Sequence, residues 1–291
     1  MFKGTYTAIV TPFKEGRIDE DGFRKLIDFQ IDNGIDGIVP VGTTGEAATL
    51  DYDEHLGVIE IAVQQAKGRC KIVAGTGSNS TREAIELTQK AEKLGIDGVL
   101  LASPYYNKPT QEGVYRHYRA IAESTSLSLM LYNVPGRTAG EIGIETCARL
   151  VRECKTIVSI KEAGGSTERV SALRNVLPPD FTILSGDDSQ TLPFMAVGAV
   201  GVVSVASNII PKPMTELVRN FLEGRASDSM RIHLRYFRLF KDLFIESNPI
   251  PIKTALHLMG MIEPEFRLPL CEMGAANREQ LSRTLSALKL L

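Results

Sequence analysis

The chain has 291 residues, 43% of them hydrophobic, which is enough to bury a large core with no disulfide or metal staple. Its 33 Lys and Arg against 35 Asp and Glu leave a net charge of −2, which excludes the basic excess expected of a nucleic-acid binder. Four dispersed cysteines without a Cys-x-x-Cys pair read as reduced thiols. No secretory pattern opens the chain and no run approaches ~20 apolar residues, so a cytoplasmic protein with neither nucleic-acid nor membrane partners is expected.

Short β-branched apolar runs alternate with stretches of helical period. Strands are predicted over residues 5–10, 37–41, 71–75, 98–102, 128–132, 156–161, 181–185 and 201–204. Between the first two, Phe23, Leu26, Ile27 and Ile31 form a helical stripe behind the acidic turn at residues 19–21. Ala84, Leu87, Ala91 and Leu94 form another; Ile144, Cys147, Ala148 and Val151 a third, which makes Cys147 a core filler rather than a nucleophile. Val170, Leu173 and Leu177, then Met214, Leu217, Val218 and Phe221, complete the series.

The strands are apolar along their length, as strands covered by helices on both faces are. Eight of them, each followed by a helix, predict an α/β fold: a (β/α)8 TIM barrel over residues 1–224. An open doubly wound sheet is the alternative, weakened by the missing G-x-G-x-x-G fingerprint. Gly34-Ile35-Asp36-Gly37 and Gly95-Ile96-Asp97-Gly98 echo one another before two strands, which reads as recurring turn chemistry. Beyond Gly224 strand signals stop, and residues 225–291 are expected to form a C-terminal helical domain, as packing, lid or oligomerisation module. There, residues 230–245 are helical, Pro251 opens the next helix, and Asn277 with Gln280 reads as a cap.

Barrel active sites form at the carboxyl ends of the strands. There lie Gly42-Thr43-Thr44-Gly45-Glu46, Ser103-Pro104-Tyr105-Tyr106-Asn107, Tyr132-Asn133-Val134-Pro135-Gly136-Arg137, Lys161-Glu162 and Ser185-Gly186-Asp187-Asp188. Lys161 ends an apolar strand and points at the barrel mouth. Desolvation penalises an ammonium, and a neutral amine adds to a ketone carbonyl to form an imine. Position alone leaves that reading level with a strand-end lysine paired to a carboxylate. Tyr132 reads as a proton relay or a satisfied core tyrosine. Thr43 and Thr44 read as a carboxylate-binding turn with a relaying hydroxyl or as an ordinary turn. Arg137 reads as a carboxylate clamp or a solvated arginine. The four dispersed histidines make no metal motif. Asp187 and Asp188 read as metal ligands or, at Asp188, as a helix cap, so no metal and no cofactor are expected.

Taken together, the Gly42-Thr43-Thr44-Gly45-Glu46, Tyr132-Asn133-Val134-Pro135, Ser159-Ile160-Lys161-Glu162 and Ser185-Gly186-Asp187-Asp188 motifs resemble the dihydrodipicolinate synthase and N-acetylneuraminate lyase family of pyruvate-dependent class I aldolases. The resemblance runs from Gly4 to the Asn248-Pro249-Ile250-Pro251-Ile252-Lys253 segment. It implies that Lys161 forms a Schiff base with pyruvate and that Tyr132 moves protons. It further implies that Thr43 links Tyr132 to a Tyr106 contributed by a neighbouring subunit, that Thr43 and Thr44 hold the pyruvate carboxylate, and that Gly186 and Val203 shape its pocket. Arg137 implies a second substrate, L-aspartate 4-semialdehyde, condensed and cyclised to 4-hydroxy-tetrahydrodipicolinate on the diaminopimelate route to lysine. A homo-oligomer, as a tetramer, is implied as well. His55, Asn79, Glu83, Tyr105 and Ala48 match an inhibitory lysine site found in some members, although Tyr52 and Ala47 stand where sensitive members carry His and Ser. Glu83 also reads as part of a capping box with Ser80. The competing readings are a lyase for a 2-keto sugar acid, which needs no Arg137, and a non-catalytic amino-acid sensor, which needs none of Thr43, Tyr132 and Lys161.

Overall fold

Helix-covered apolar strands have no partner for their two edges unless the sheet closes, and here it does. A computed structural model describes residues 2–291. Its barrel strands are β1 (Gly4–Ala8), β4 (Gly37–Val39), β5 (Lys71–Gly75), β6 (Gly98–Ala102), β7 (Ser128–Asn133), β8 (Ile157–Glu162), β9 (Thr182–Ser185) and β10 (Gly201–Ser204). They run parallel in sequence order, and β1 pairs with β10 from Gly4 opposite Gly201 to Thr7 opposite Ser204. That pairing excludes the open sheet. A hairpin of β2 (Phe13–Lys14) and β3 (Arg17–Ile18) follows β1; the sequence reading missed it, because two residues per strand show no period.

Among the described residues the helices are α1 (Glu20–Asp32), α2 (Tyr52–Ala66), α3 (Thr81–Glu92), α4 (Gln111–Glu123), α5 (Pro135–Thr138), α6 (Ile144–Glu153), α7 (Thr167–Val176), α8 (Thr191–Ala196), α9 (Pro211–Leu222), α10 (Ala226–Asp242), α11 (Ile250–Leu258) and α12 (Ala275–Ala287). None is long and apolar enough to cross a membrane. Local chemistry sets their starts. The Asp19 carboxylate accepts from Gly22 N–H, and Asp51 with Glu54 forms a full capping box at α2. At α3 only half of the expected box forms. Ser80 Oγ accepts from Glu83 N–H, but the Glu83 carboxylate accepts from Ser78 Oγ instead. Asn277 and Gln280 do not cap α12, which starts at Ala275. They donate to Glu246 and Asp242 on the neighbouring tail segment.

Strand alternation divides the core into two layers. Ile38, Leu101, Leu131, Ile160 and Val202 face the helices, while Tyr6, Val73, Met130, Leu184 and Val203 fill the barrel. Cys147 packs in the outer layer, where burial pushes its thiol up to about 12. The Gly-Ile-Asp-Gly echo builds the floor. Asp36 accepts from Thr5 N–H and Asp97 from Ile72 N–H, each at 2.8 Å, tying strands together. A Cβ at Gly37 would lie 2.3 Å from the Tyr6 ring and one at Gly98 2.5 Å from the Phe2 ring, so these glycines admit the two aromatics that close the barrel bottom. The Phe2 and Tyr6 rings meet edge to face at 6.0 Å.

Candidate active site

The mouth of the barrel opposite that floor carries the functional side chains. On β8, Ile160 faces the helices, so the alternation turns Lys161 inward. The register sets Tyr132 of β7 directly opposite Lys161, and the Lys161 Nζ lies 4.2 Å from the centre of the Tyr132 ring. Lys161 is only 5% exposed. Gly186, at the end of β9, makes room for it. A Cβ there would stand 3.1 Å from Lys161 Cε and 2.8 Å from the Ala163 Cβ. Val203 of β10 is fully buried in the same interior layer.

A cavity of about 490 Å³ opens above this layer, lined by Thr43, Tyr132, Val134, Arg137 and Asn248 among others. Arg137 sits on the short α5, where Pro135 starts the turn just beyond β7. Its Nη2 donates to the Asn248 carbonyl at 3.2 Å. Asn248 Nδ2 donates in turn to Thr44 Oγ1 at 2.9 Å. One residue of the helical tail thus touches both candidate carboxylate-binding positions. The same cavity extends to Ala48, His55, Glu83 and Tyr105, so Thr43, Tyr132 and Arg137 share one space with these residues, whereas Lys161, Thr44, Gly186 and Val203 are not part of its lining. Asn79 lies at its edge and donates to the Tyr105 carbonyl at 3.2 Å. His55 Nε2 donates to the Gly75 carbonyl at 2.8 Å, and burial pushes the imidazole below its ordinary range, with that hydrogen bond opposing the push.

Tyr106 does not join them. It is 90% exposed, with a left-handed φ of 71°, and reaches no part of the cavity of its own chain.

Asp187 and Asp188 need correction. Asp187, not Asp188, is the cap, accepting from Ser189 N–H at 2.8 Å. Asp188 is buried, accepting from Ser204 Oγ at 2.5 Å and from the N–H groups of Val205 and Ala206. Burial pushes its carboxyl up to about 6, against those hydrogen bonds.

Sequence reasoning missed a second set of polar residues. Glu162, next to Lys161 but facing outward, is buried against Asn133 Nδ2 and Arg169 Nε at 2.8 and 3.0 Å. Lys253 of α11 donates to Glu46 Oε1 at 2.5 Å, with both side chains fully buried. Burial pushes the Lys253 ammonium below its ordinary range, and Glu46 opposes the push. Val41, a β-branched residue with φ 50°, precedes the Gly42–Glu46 turn; such a conformation costs about 1–3 kcal/mol. A signal was present: a single Lys in the apolar run Ile250-Pro251-Ile252-Lys253-Thr254-Ala255-Leu256 requires a buried partner. Nothing in the sequence pointed to Glu46 as that partner.

The model of the dihydrodipicolinate synthetase family matches residues 1–288. The 4-hydroxy-tetrahydrodipicolinate synthase of Pelobacter propionicus is 53% identical over 291 residues, 100% of each chain. The dihydrodipicolinate synthase of Acinetobacter baumannii, solved in complex with pyruvate, superposes with a TM-score of 0.98 at 45% identity over 100% of both chains. The enzyme from Cyanidioschyzon merolae, solved with lysine bound, gives 0.96 at 43% identity over 100% of this chain and 99% of its own.

Proposed function

The chain belongs to the dihydrodipicolinate synthetase family, and from that premise we propose how its residues carry out the condensation of pyruvate with L-aspartate 4-semialdehyde to 4-hydroxy-tetrahydrodipicolinate. The reaction is that of a lyase on the diaminopimelate route to lysine. The observation that carries the residue assignment is the buried Lys161 amine, 4.2 Å from the ring of its register partner Tyr132, at the mouth of a closed barrel.

The Lys161 Nζ lone pair adds to the C2 carbonyl of pyruvate, and loss of water leaves an imine. Tyr132 supplies the proton that lets the hydroxyl leave as water. Loss of a C3 proton gives the enamine, whose C3 attacks the aldehyde carbon of the second substrate. The amine of that substrate then attacks C2, displaces the Lys161 amine and closes the ring. Thr43 and Thr44 hold the pyruvate carboxylate, Gly186 and Val203 bound its methyl side, and Arg137 forks the carboxylate of the semialdehyde. Borohydride added with pyruvate should reduce the imine and fix the adduct mass on Lys161. No adduct, or one on another residue, rejects the assignment.

We assign residues 1–224 to the catalytic barrel and 225–291 to the helical appendage, in a cytoplasmic enzyme. The chain forms a homotetramer that completes each site with a neighbour's Tyr106; its 90% exposure supports this, as does the exposed row Met230, Leu234, Phe237 and Phe244 along α10 and just beyond it. Lysine is an inhibitor at the end of the cavity lined by Ala48, His55, Glu83 and Tyr105, with Asn79 at its edge. The lysine-bound relative and the continuity of the cavity support that reading. Initial rates titrated with lysine test it, and a flat response rejects it.

A further inference from the structure

We propose that Lys253 and Glu46 are positioning residues for pyruvate: the buried pair reaches from the helical tail to the barrel mouth and locks the turn that carries Thr43 and Thr44. The inference rests on the assignment of those two threonines to the pyruvate carboxylate.

The turn is held at three places, two of them from the tail. Thr11 Oγ1 donates to the Gly45 carbonyl at 2.7 Å, Asn248 Nδ2 to Thr44 Oγ1, and Lys253 Nζ to Glu46 Oε1. Glu46 Oε2 accepts from the Arg267 backbone N–H at 3.3 Å. The Lys253 ammonium lies 4.4 Å from the centre of the Phe13 ring and 5.0 Å from that of Phe266, and its hydrogen bond goes to Glu46. Arg267 closes the assembly from outside, forking Glu54 with both terminal nitrogens at 2.6 Å.

Both ends of the turn are in the left-handed region, Val41 with φ 50° and Glu46 with φ 54°. A β-branched residue does not adopt that conformation unless its surroundings impose it. As a stability device, an ion pair with both partners fully buried is poor, because desolvation offsets most of the attraction. What such a pair supplies well is a single fixed geometry. The geometry fixed here is that of a turn whose Thr43 lines the cavity together with Tyr132, and a displacement of about 1 Å at such a site lowers rates by up to about 10²-fold.

The test uses the full-length chain. Lys253→Met alone strands a buried carboxylate and is expected to fold poorly, so the decisive variant is the double substitution Glu46→Gln with Lys253→Met, which is neutral and of similar volume. Well below its Tm, this variant is expected to raise the KM for pyruvate about tenfold or more and to slow borohydride trapping at Lys161 by a similar factor, with the semialdehyde KM changed less than about threefold. A pyruvate KM within about twofold of the parent, or equal losses for both substrates, overturns the proposal. Failure of the parent itself to trap pyruvate overturns the Lys161 assignment instead. The crystal structure of the double variant then decides the positioning claim: Val41 should leave the left-handed region, and a φ still near +50° overturns it.

Discussion

At the scale of single residues, the site depends as much on a missing side chain as on those present. Lys161 reaches the mouth because Gly186 offers no Cβ against its Cε. Gly186→Ala is therefore expected to displace the amine and to lower kcat about 10²-fold while the circular dichroism spectrum stays unchanged; parental kinetics would show that the lysine has another path. Asp188 makes the other residue-scale prediction. Its carboxyl sits at about 6 in the fold, above the ~3.9 of an unfolded chain, so the fold favours the protonated form. That contribution is complete below pH ~4 and is lost as pH rises through about 6. Asn fits the same contacts, its Oδ1 accepting from Val205 and Ala206 and its Nδ2 facing Ser204 Oγ. Asp188→Asn should therefore gain stability over the parent between pH ~4 and ~7, by up to roughly 3 kcal/mol, in denaturant midpoints. Parallel pH curves would reject this. Lys161 and Tyr132 stand out in the sequence because each follows an apolar run, and Arg137 because it follows the Pro135-Gly136 turn just beyond one. The pairing of Glu46 with Lys253 does not stand out, because it joins positions 207 apart and leaves no local trace.

At the scale of elements, the barrel strands were legible because burial on both faces writes itself as an unbroken apolar run, and three of them begin and end where the sequence puts them: β5, β6 and β10. Helix starts were legible only where a local cap sets them. Ser80 is such a case, and so is the acidic turn at Asp19, whose carboxylate accepts from Gly22 N–H at 2.9 Å. Asp19 caps α1 and is not among the residues that line the cavity. Asp19→Ala should cost about 1 kcal/mol, a few degrees or less of Tm, and leave both KM values in place. Asn277 and Gln280 carry the same residue types as a cap, yet bond to Glu246 and Asp242. Composition cannot distinguish a cap from a tertiary contact when the partner lies some 30 or more residues away.

At the scale of the whole molecule, one chain does not bring every group assigned to the reaction into its own cavity. Tyr106 stands in solvent, outside the cavity it is meant to serve. Tyr106→Phe and Lys161→Ala homomers should each be nearly inactive, and co-expression of the two chains should restore part of the activity through mixed assemblies; a mixture no better than its parts would show that each chain works alone. The tail has a further consequence, in time rather than in space. Thr44 and Glu46 find their partners 204 and 207 positions later in the chain. At about 5–20 residues per second, synthesis delivers those partners roughly 10–40 s after the turn itself has emerged. Until then the strained turn has nothing to hold it from the tail side, so the nascent enzyme stays silent while most of its barrel is already made, and competence arrives only with the last quarter of the chain.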